Sequence, residues 1–142
     1  MKKLLLIFIS LFFSSAFSQA NAIDSLTTLL KTDKEDTNKV KHLNDLGWEL
    51  KYQNPDTAIL LSIQALELAT SVGWAKGIAK SNGNIGVYYD LKGDYAKALE
   101  YLLRALKLNE ETANNNGVAS NLSNIGIVYN EQGDYPKTLE YY

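Results

Sequence analysis

The chain has 142 residues, no cysteine and a formal net charge of −2, with 46% apolar and 21% charged residues. This is an ordinary composition for one folded domain with a modest core. It excludes disulfides, thiolate metal sites and cysteine nucleophiles, and the absence of a basic patch argues against a nucleic-acid partner.

The first twenty residues have the layout of a secretory signal peptide. Two lysines precede an apolar run over residues 4–13, and small residues follow it. The small residues predict cleavage after Ser18 or Ala20. An uncleaved membrane anchor is one alternative, although the run is short for a span of about 20 residues, and a buried helix is another. We predict an exported protein, periplasmic or extracellular.

Residues 21–35 predict a short helix and a connector. Ile23, Leu26, Leu29 and Leu30 recur at the spacing of one helical face, and the charged residues after them are typical of a loop.

Three copies of one pattern fill the remaining chain, at 36–73, 74–113 and 114–142, and the last copy is incomplete. Between 77–102 and 117–142, 13 of 26 positions are identical. Self-similarity at a period of 40 residues predicts a repeat array, in which each unit buries its apolar face against the next.

Each copy predicts two helices joined by a tight turn. Apolar residues recur every three and four positions, and the turns read Asn54-Pro55, Gly93-Asp94 and Gly133-Asp134. Asn and Asp are good helix caps, and Pro is tolerated in the first helical turn.

Two glycines, Gly86 and Gly126, fall in the middle of predicted helices. Each costs about 1 kcal/mol relative to Ala. We expect the two helices of a hairpin to approach closely there, facing small residues such as Ala98. Tyr89 and Leu102 are expected to fill the wider space one turn away.

The copies resemble the tetratricopeptide repeat, whose pattern is W-x2-L-G-x2-Y, then A-x3-F, then P. The tryptophan and the final proline are absent throughout, and the period exceeds the family's usual value of about 34 residues. The matching positions are Leu43, Leu46, Gly47, Leu50, Ala58, Ser62 and Ala65, then Asn82, Ile85, Gly86, Tyr89, Ala98, Leu102 and Ala105, then Leu122, Ile125, Gly126, Tyr129, Thr138 and Tyr142.

The resemblance implies an all-α, right-handed superhelix of antiparallel hairpins, with a concave groove lined by the first helix of each copy. It implies a non-catalytic scaffold that binds a peptide or partner protein, without cofactor, metal or small-molecule substrate. Some family members clamp a terminal carboxylate with Lys and Asn. Gly83 and Val87 stand where that clamp needs polar groups, so we do not predict it. The groove positions carried over by the motif are Lys41, Asn44, Trp48, Lys51, Lys80, Gly83, Val87, Asp90, Ser120, Ser123, Ile127 and Asn130.

A few other residues require interpretation. His42 has no partner at catalytic or metal-ligand spacing, so we expect it to be an ordinary surface residue. The glycines of 83–86 fall inside a helix with no preceding strand, which argues against a phosphate loop. The sequon at Asn121 also falls on a helix and is discounted. Trp48 is either a groove contact or packs on the N-terminal helix, and Trp74 is expected between repeats.

Two further roles stay open from the sequence. Repeat arrays end in polar capping helices, whereas this sequence ends in Tyr141-Tyr142. The chain could therefore be the N-terminal extracytoplasmic part of a longer membrane-bound sensor with a histidine kinase or transcriptional-regulator output. Alternatively, the incomplete last repeat could mediate self-association.

Overall fold

The computed structural model describes residues 19–142, and every described element is a helix. The predicted signal peptide lies outside the described residues, except for its last two positions, which belong to the first helix. No helix within 19–142 is both long and apolar enough to cross a membrane. The helices are α1 (19–30), α2 (Thr37–Leu50), α3 (Pro55–Ser71), α4 (Ala75–Leu91), α5 (Tyr95–Glu111), α6 (Asn115–Glu131) and α7 (Tyr135–Tyr141).

Most helices begin at a polar cap whose side chain accepts a hydrogen bond from a backbone amide of the first turn. Asp36, Asn54, Asp94, Asn114 and Asp134 all do so. Capping satisfies an amide that has no partner within the helix. The sequence predicted the third copy over residues 114–142. The structure starts α6 at Asn115, because Asn114 is its cap.

Four of the turns between helices share one backbone conformation. Gly73, Gly93 and Gly133 have φ angles of 69°, 74° and 76°, and Ala113 occupies the equivalent place with φ of 51°. This left-handed conformation ends a helix and favours glycine, because a Cβ there crowds the carbonyl oxygen. Ala113 therefore carries backbone strain that its glycine counterparts do not.

The helices form two layers. Hairpin partners pack as α2 with α3, α4 with α5 and α6 with α7, and α3 and α5 pack on the hairpin that follows them. The first helix of each hairpin also contacts the first helix of the next, α2 with α4 and α4 with α6, whereas the second helices α3 and α5 do not meet. Because the layer formed by α2, α4 and α6 is more closely spaced, the stack bends toward that layer. The surface of α2, α4 and α6 is therefore concave, and the prediction of an all-α helical repeat fold is confirmed.

Each hairpin closes at its mid-helix glycine. A Cβ on Gly86 would lie 2.7 Å from Leu102 Cγ and 3.1 Å from the Ala98 carbonyl oxygen. A Cβ on Gly126 would lie 2.7 Å from the Tyr142 ring. The predicted close approach is present, but Leu102 packs directly on Gly86 and not one turn away.

The buried tyrosine of α4 is Tyr88, one position before the motif tyrosine. Tyr88 is fully buried against Ala58 and Ile59 of the preceding hairpin. Its burial raises the pKa of its phenol. Tyr89 is only partly buried and stacks on Tyr101, with ring centroids 5.8 Å apart. The stack ties the two helices of one hairpin together, while Tyr88 joins successive hairpins.

Substitution of Ala113 by glycine is expected to stabilise the protein by about 0.5–1 kcal/mol, because it removes a strained left-handed residue at a modest entropic cost in the unfolded chain. Gly93→Ala is the converse change. It has open space around the new Cβ, so its expected loss of about 1 kcal/mol comes from the backbone alone. Urea unfolding measures both, and a destabilised Ala113→Gly variant would contradict the assignment.

Gly86→Ala is expected to cost about 1–3 kcal/mol, since overpacking against Leu102 and a fixed carbonyl oxygen exceeds the gain in helix propensity. Gly83→Ala on the same helix is the control. Its Cβ would meet the movable Asn121 amide at 3.3 Å and Ala105 at 3.9 Å, so its expected effect is within about 0.5 kcal/mol of zero. Equal effects in thermal unfolding would show that Gly86 is not a contact point.

Candidate functional site

The concave face holds a cavity of about 420 Å³. It lies between α2, α4 and α6, with one residue from α5 and caps from the turns. On α2 and α6 the lining follows helical stripes at positions i, i+3, i+4 and i+7. The lining residues are Lys41, Asn44, Asp45, Trp48, Trp74, Lys76, Gly77, Ala79, Lys80, Gly83, Asn84, Val87, Asn109, Asn114, Gly117, Ser120, Asn121 and Asn124.

The structure brings seven of the predicted groove residues to this cavity and leaves five outside it. On α6 the lining stripe runs through Gly117, Ser120, Asn121 and Asn124. Ser123 lies off this stripe, and the other two motif positions fall beyond its end. Those inside are Lys41, Asn44, Trp48, Lys80, Gly83, Val87 and Ser120, and those outside are Lys51, Asp90, Ser123, Ile127 and Asn130.

Five asparagines are among the lining residues that the sequence did not predict, together with Asp45, Trp74, Lys76, Gly77, Ala79 and Gly117. Asn84, Asn109, Asn114, Asn121 and Asn124 all line the cavity. The repeat contains one sequence signal for two of them. Asn84 and Asn124 each stand two positions before a mid-helix glycine, so a polar residue recurs beside a position that is expected to be buried.

Asn44 is a structural junction. Its amide nitrogen donates to the Val40 carbonyl at 3.1 Å and to Ser81 Oγ at 2.8 Å. Its amide oxygen accepts from Ser62 Oγ at 3.3 Å and from Asn84 Nδ2 at 3.2 Å. The side chain amide thus has two donated and two accepted bonds, which is its full capacity. Asn44 joins α2, α3 and α4 and has little capacity left for a ligand.

Asn121 and Asn124 differ sharply from Asn44. Within residues 19–142 no hydrogen bond engages either side chain, although Asn121 is only 5% exposed. Neither residue has an amide atom among the side-chain atoms that are sealed from solvent without a partner, so both amides open into the cavity. Water or a ligand there can complete their hydrogen bonds. Both side chains line the cavity and can receive a ligand there.

Tryptophan and lysine side chains form the other end of the cavity. Lys80 Nζ lies 5.5 Å from the Trp48 ring centroid, and Lys41 Nζ lies 5.7 Å from that of Trp74. Trp48 is 42% exposed, so it presents a ring face to the groove. Trp74 also packs with the core beside α3, as expected for a residue between repeats. Lys51 lies 3.8 Å from the Trp48 ring centroid, just outside the cavity.

Asp90 and Glu131 form an acidic pair near the ends of α4 and α6. Burial, and then the neighbouring Glu131 carboxylate, raise the pKa of Asp90 to about 6. Asp90 Oδ1 is covered and has no hydrogen-bond partner. The pair is a local source of pH dependence near the end of α4.

His42 has a partner that the sequence did not predict. Its Nδ1 lies 2.7 Å from Oδ2 of Asp33 in the connector before α2. The pair joins the connector to α2, and no third residue within 19–142 makes a side-chain hydrogen bond to either member. In the described part of the chain, no cluster of three His, Asp or Glu residues could hold a metal ion.

The fold and the cavity together define a class: an all-α helical repeat protein with an open concave groove. Residues 77–142 match the family model described as tetratricopeptide repeat. This match and the fold support the interpretation of the chain as a tetratricopeptide repeat protein. Proteins of that class are generally non-enzymatic interaction scaffolds.

Two solved structures show the same fold. The crystal structure of the TPR domain of Arabidopsis FLU superposes with a TM-score of 0.68 at 24% identity, over 74% of this chain and 89% of that one. A Rap protein crystallised with the competence and sporulation factor gives a TM-score of 0.76 at 25% identity, over 89% of this chain. The match spans 36% of the Rap chain's own length. No curated protein sequence matches the chain.

Removal of the Asp90 charge is expected to stabilise the protein only at higher pH. Because its folded pKa lies above the unfolded value of 3.8, the wild-type protein loses stability as pH rises from about 4 to about 7. Asp90→Asn is expected to gain about 1 kcal/mol at pH 8, after a discount for the solvent-screened part of the carboxyl, and nothing at pH 4.

Urea unfolding at the two pH values measures this gain. Glu131→Gln is the companion variant, expected to flatten the pH dependence partly because it removes the second cause of the shift. A stabilisation by Asp90→Asn that is equal at both pH values would contradict the assignment.

Proposed function

We propose that this protein is an exported, non-catalytic scaffold that binds an extended peptide segment in its concave groove. One observation carries the proposal: Asn121 is almost fully covered, lines the cavity and makes no hydrogen bond within the described chain. An amide held in this way is ready to pair with a ligand.

Peptide backbone is the ligand that fits such amides. A side-chain amide offers a donor and an acceptor side by side, and so does each peptide unit of an extended chain. Three neighbouring helices at spacings of about 9 Å present an inner face of about 20 Å, which an extended segment of about six residues would cross. Trp48 adds an aromatic face of the kind enriched at binding hot spots.

The structure of the Rap protein complex gives independent support for this proposal. That protein was crystallised in complex with the competence and sporulation factor, and its fold matches 89% of this chain. The match gives a precedent for ligand binding by a protein of similar fold.

Peptide selection tests the proposal. A displayed random library of about ten residues is selected on the protein, and the best peptides are synthesised and titrated. Asn121→Ala/Asn124→Ala is expected to weaken binding at least about tenfold, the equivalent of about 1.4 kcal/mol.

Ser123→Ala/Asn130→Ala is the matched control, since both residues lie on α6 but outside the cavity. It is expected to change affinity less than about twofold. Equal losses in the two double variants, or failure to select any peptide that depends on the asparagines, would overturn the proposal. So would hydrolase or transferase activity of the purified chain.

Export is the second part of the proposal, and it rests on the sequence of residues 1–20. The contacts of Gln19 support the earlier of the two cleavage positions. Its Nε2 donates to the Glu49 carbonyl at 2.8 Å, and Gln53 Nε2 donates to its Oε1 at 3.2 Å. Cleavage after Ser18 keeps these bonds from α1 to α2 and to the turn that follows it, whereas cleavage after Ala20 removes them.

The chain is fused to a phosphatase that is active only when its disulfides form. We expect this fusion to be active, because export carries it out of the cytoplasm to a compartment where disulfides form. Mass spectrometry of the secreted product is expected to give a mature chain beginning at Gln19. An inactive fusion, or a product retaining residues 1–18, would contradict cleavage and export.

The sensor role is a second candidate, favoured by the outer edge of α7. Leu139 is 77% exposed and Tyr135 is also exposed. Their counterparts in the preceding copy, Leu99 and Tyr95, pack against the core that includes α6 residues. A further helix beside α7 would cover the same edge. The genomic reading frame beyond codon 142 distinguishes the candidates, because an immediate stop codon would remove the sensor.

A further inference from the structure

The charges around the cavity are distributed unlike those of the rest of the chain. The protein carries a net charge of −2. The cavity lining nevertheless holds three lysines, Lys41, Lys76 and Lys80, and one acidic residue, Asp45. The groove is therefore a cationic region on an acidic protein.

These lysines have no carboxylate partner within residues 19–142, although Lys41 Nζ donates to Asn38 Oδ1 at 3.4 Å. Ion pairs in the part of the chain described by the structure employ six other cations, all outside the cavity lining: Lys39, Lys92, Lys97, Arg104, Lys107 and Lys137. Lys41, Lys76 and Lys80 take part in no ion pair within residues 19–142. Lys41 and Lys80 instead lie over tryptophan rings. Such contacts leave much of the ammonium group open to an anion.

The cations are spread along the groove and do not converge on one point. Lys76 and Lys80 are one turn apart on α4, which places them on one face about 6 Å apart. Lys51, beside Trp48, stands ten positions after Lys41, a distance of about 15 Å along the helix. One terminal carboxylate cannot reach all of these groups, whereas several side-chain carboxylates on an extended segment can.

We propose that the partner segment is acidic, with two or more Asp or Glu side chains facing Lys41, Lys76 and Lys80 while its backbone lies on Asn121 and Asn124. This rests on the proposed function and adds the chemistry of the partner. The two ends of the groove then have separate roles. The lysines and tryptophans select the acidic side chains, and the neutral amides on α6 hold the backbone whatever its sequence.

Selection of displayed peptides on three proteins tests the inference. The library has blocked ends, so that no peptide offers a free terminal carboxylate. The proteins are wild type, the groove variant Lys41→Gln/Lys80→Gln, and a charge-matched control, Lys92→Gln/Lys107→Gln, whose residues lie outside the cavity. Circular dichroism and thermal unfolding verify that the variants fold.

Peptides from wild type and from the control are expected to be enriched in Asp and Glu at least about twofold over the library, and those from the groove variant are not. A synthetic acidic peptide is expected to bind the groove variant at least about tenfold more weakly than wild type, and the control within about twofold. Binding should weaken with salt, because exposed charges are screened. The variant Lys41→Arg/Lys80→Arg keeps both positive charges and should still bind the acidic peptide.

The outcomes separate this inference from the proposed function. Selected peptides that depend on Asn121 and Asn124 but show no acidic enrichment would overturn the acidic partner and leave the peptide-binding groove intact. Equal weakening by the control variant, or binding that needs a free C-terminal carboxylate, would also overturn it. If no selected peptide depends on groove residues, both proposals fail.

Discussion

The helices of each hairpin make a close backbone contact at a mid-helix glycine, and this contact limits where the other elements can lie. At Gly86 the missing Cβ lets Leu102 and the Ala98 carbonyl come within contact distance of the backbone. Gly126 repeats the arrangement with Tyr142. Because interiors are packed to the density of crystals, a helix pair fixed at one such contact has little freedom elsewhere. The helix-propensity cost of the glycine, about 1 kcal/mol, is offset by the packing that it permits.

Fixed hairpins then stack, and the stacking creates the groove. The first helices α2, α4 and α6 touch in sequence, while α3 and α5 do not meet. Tyr88 is buried in the seam between successive hairpins, against Ala58 and Ile59. A layer with closer spacing is the inner side of a curved stack, so the concave surface follows from which helices can approach. Asn44 links α2, α3 and α4 by hydrogen bonds just below that surface.

The groove presents polar groups that remain available to a ligand. Asn121 makes no side-chain hydrogen bond in the described chain, and Lys41, Lys76 and Lys80 line the cavity without an ion pair there. Their concentration on one concave face, beside Trp48, is the pattern of a binding surface. The fold supplies rigid helices, and the side chains that differ between copies supply the chemistry.

The sequence by itself determined the helices, the turns and the class of fold, because these depend on interactions between residues close along the chain. Asn54-Pro55 and Gly93-Asp94 predicted turns, and Gly86 predicted a close helix contact. The sequence did not identify Tyr88 as the buried tyrosine or Asn121 as an amide that lines the cavity. Nor did it separate Asn44, which is saturated by the fold, from Asn124, which has no hydrogen bond within residues 19–142. Those properties depend on which side of each helix faces its neighbour, and a shift of one position around a helix is about 100°. Only the tertiary structure decided them, because the curvature of the stack sets that rotation.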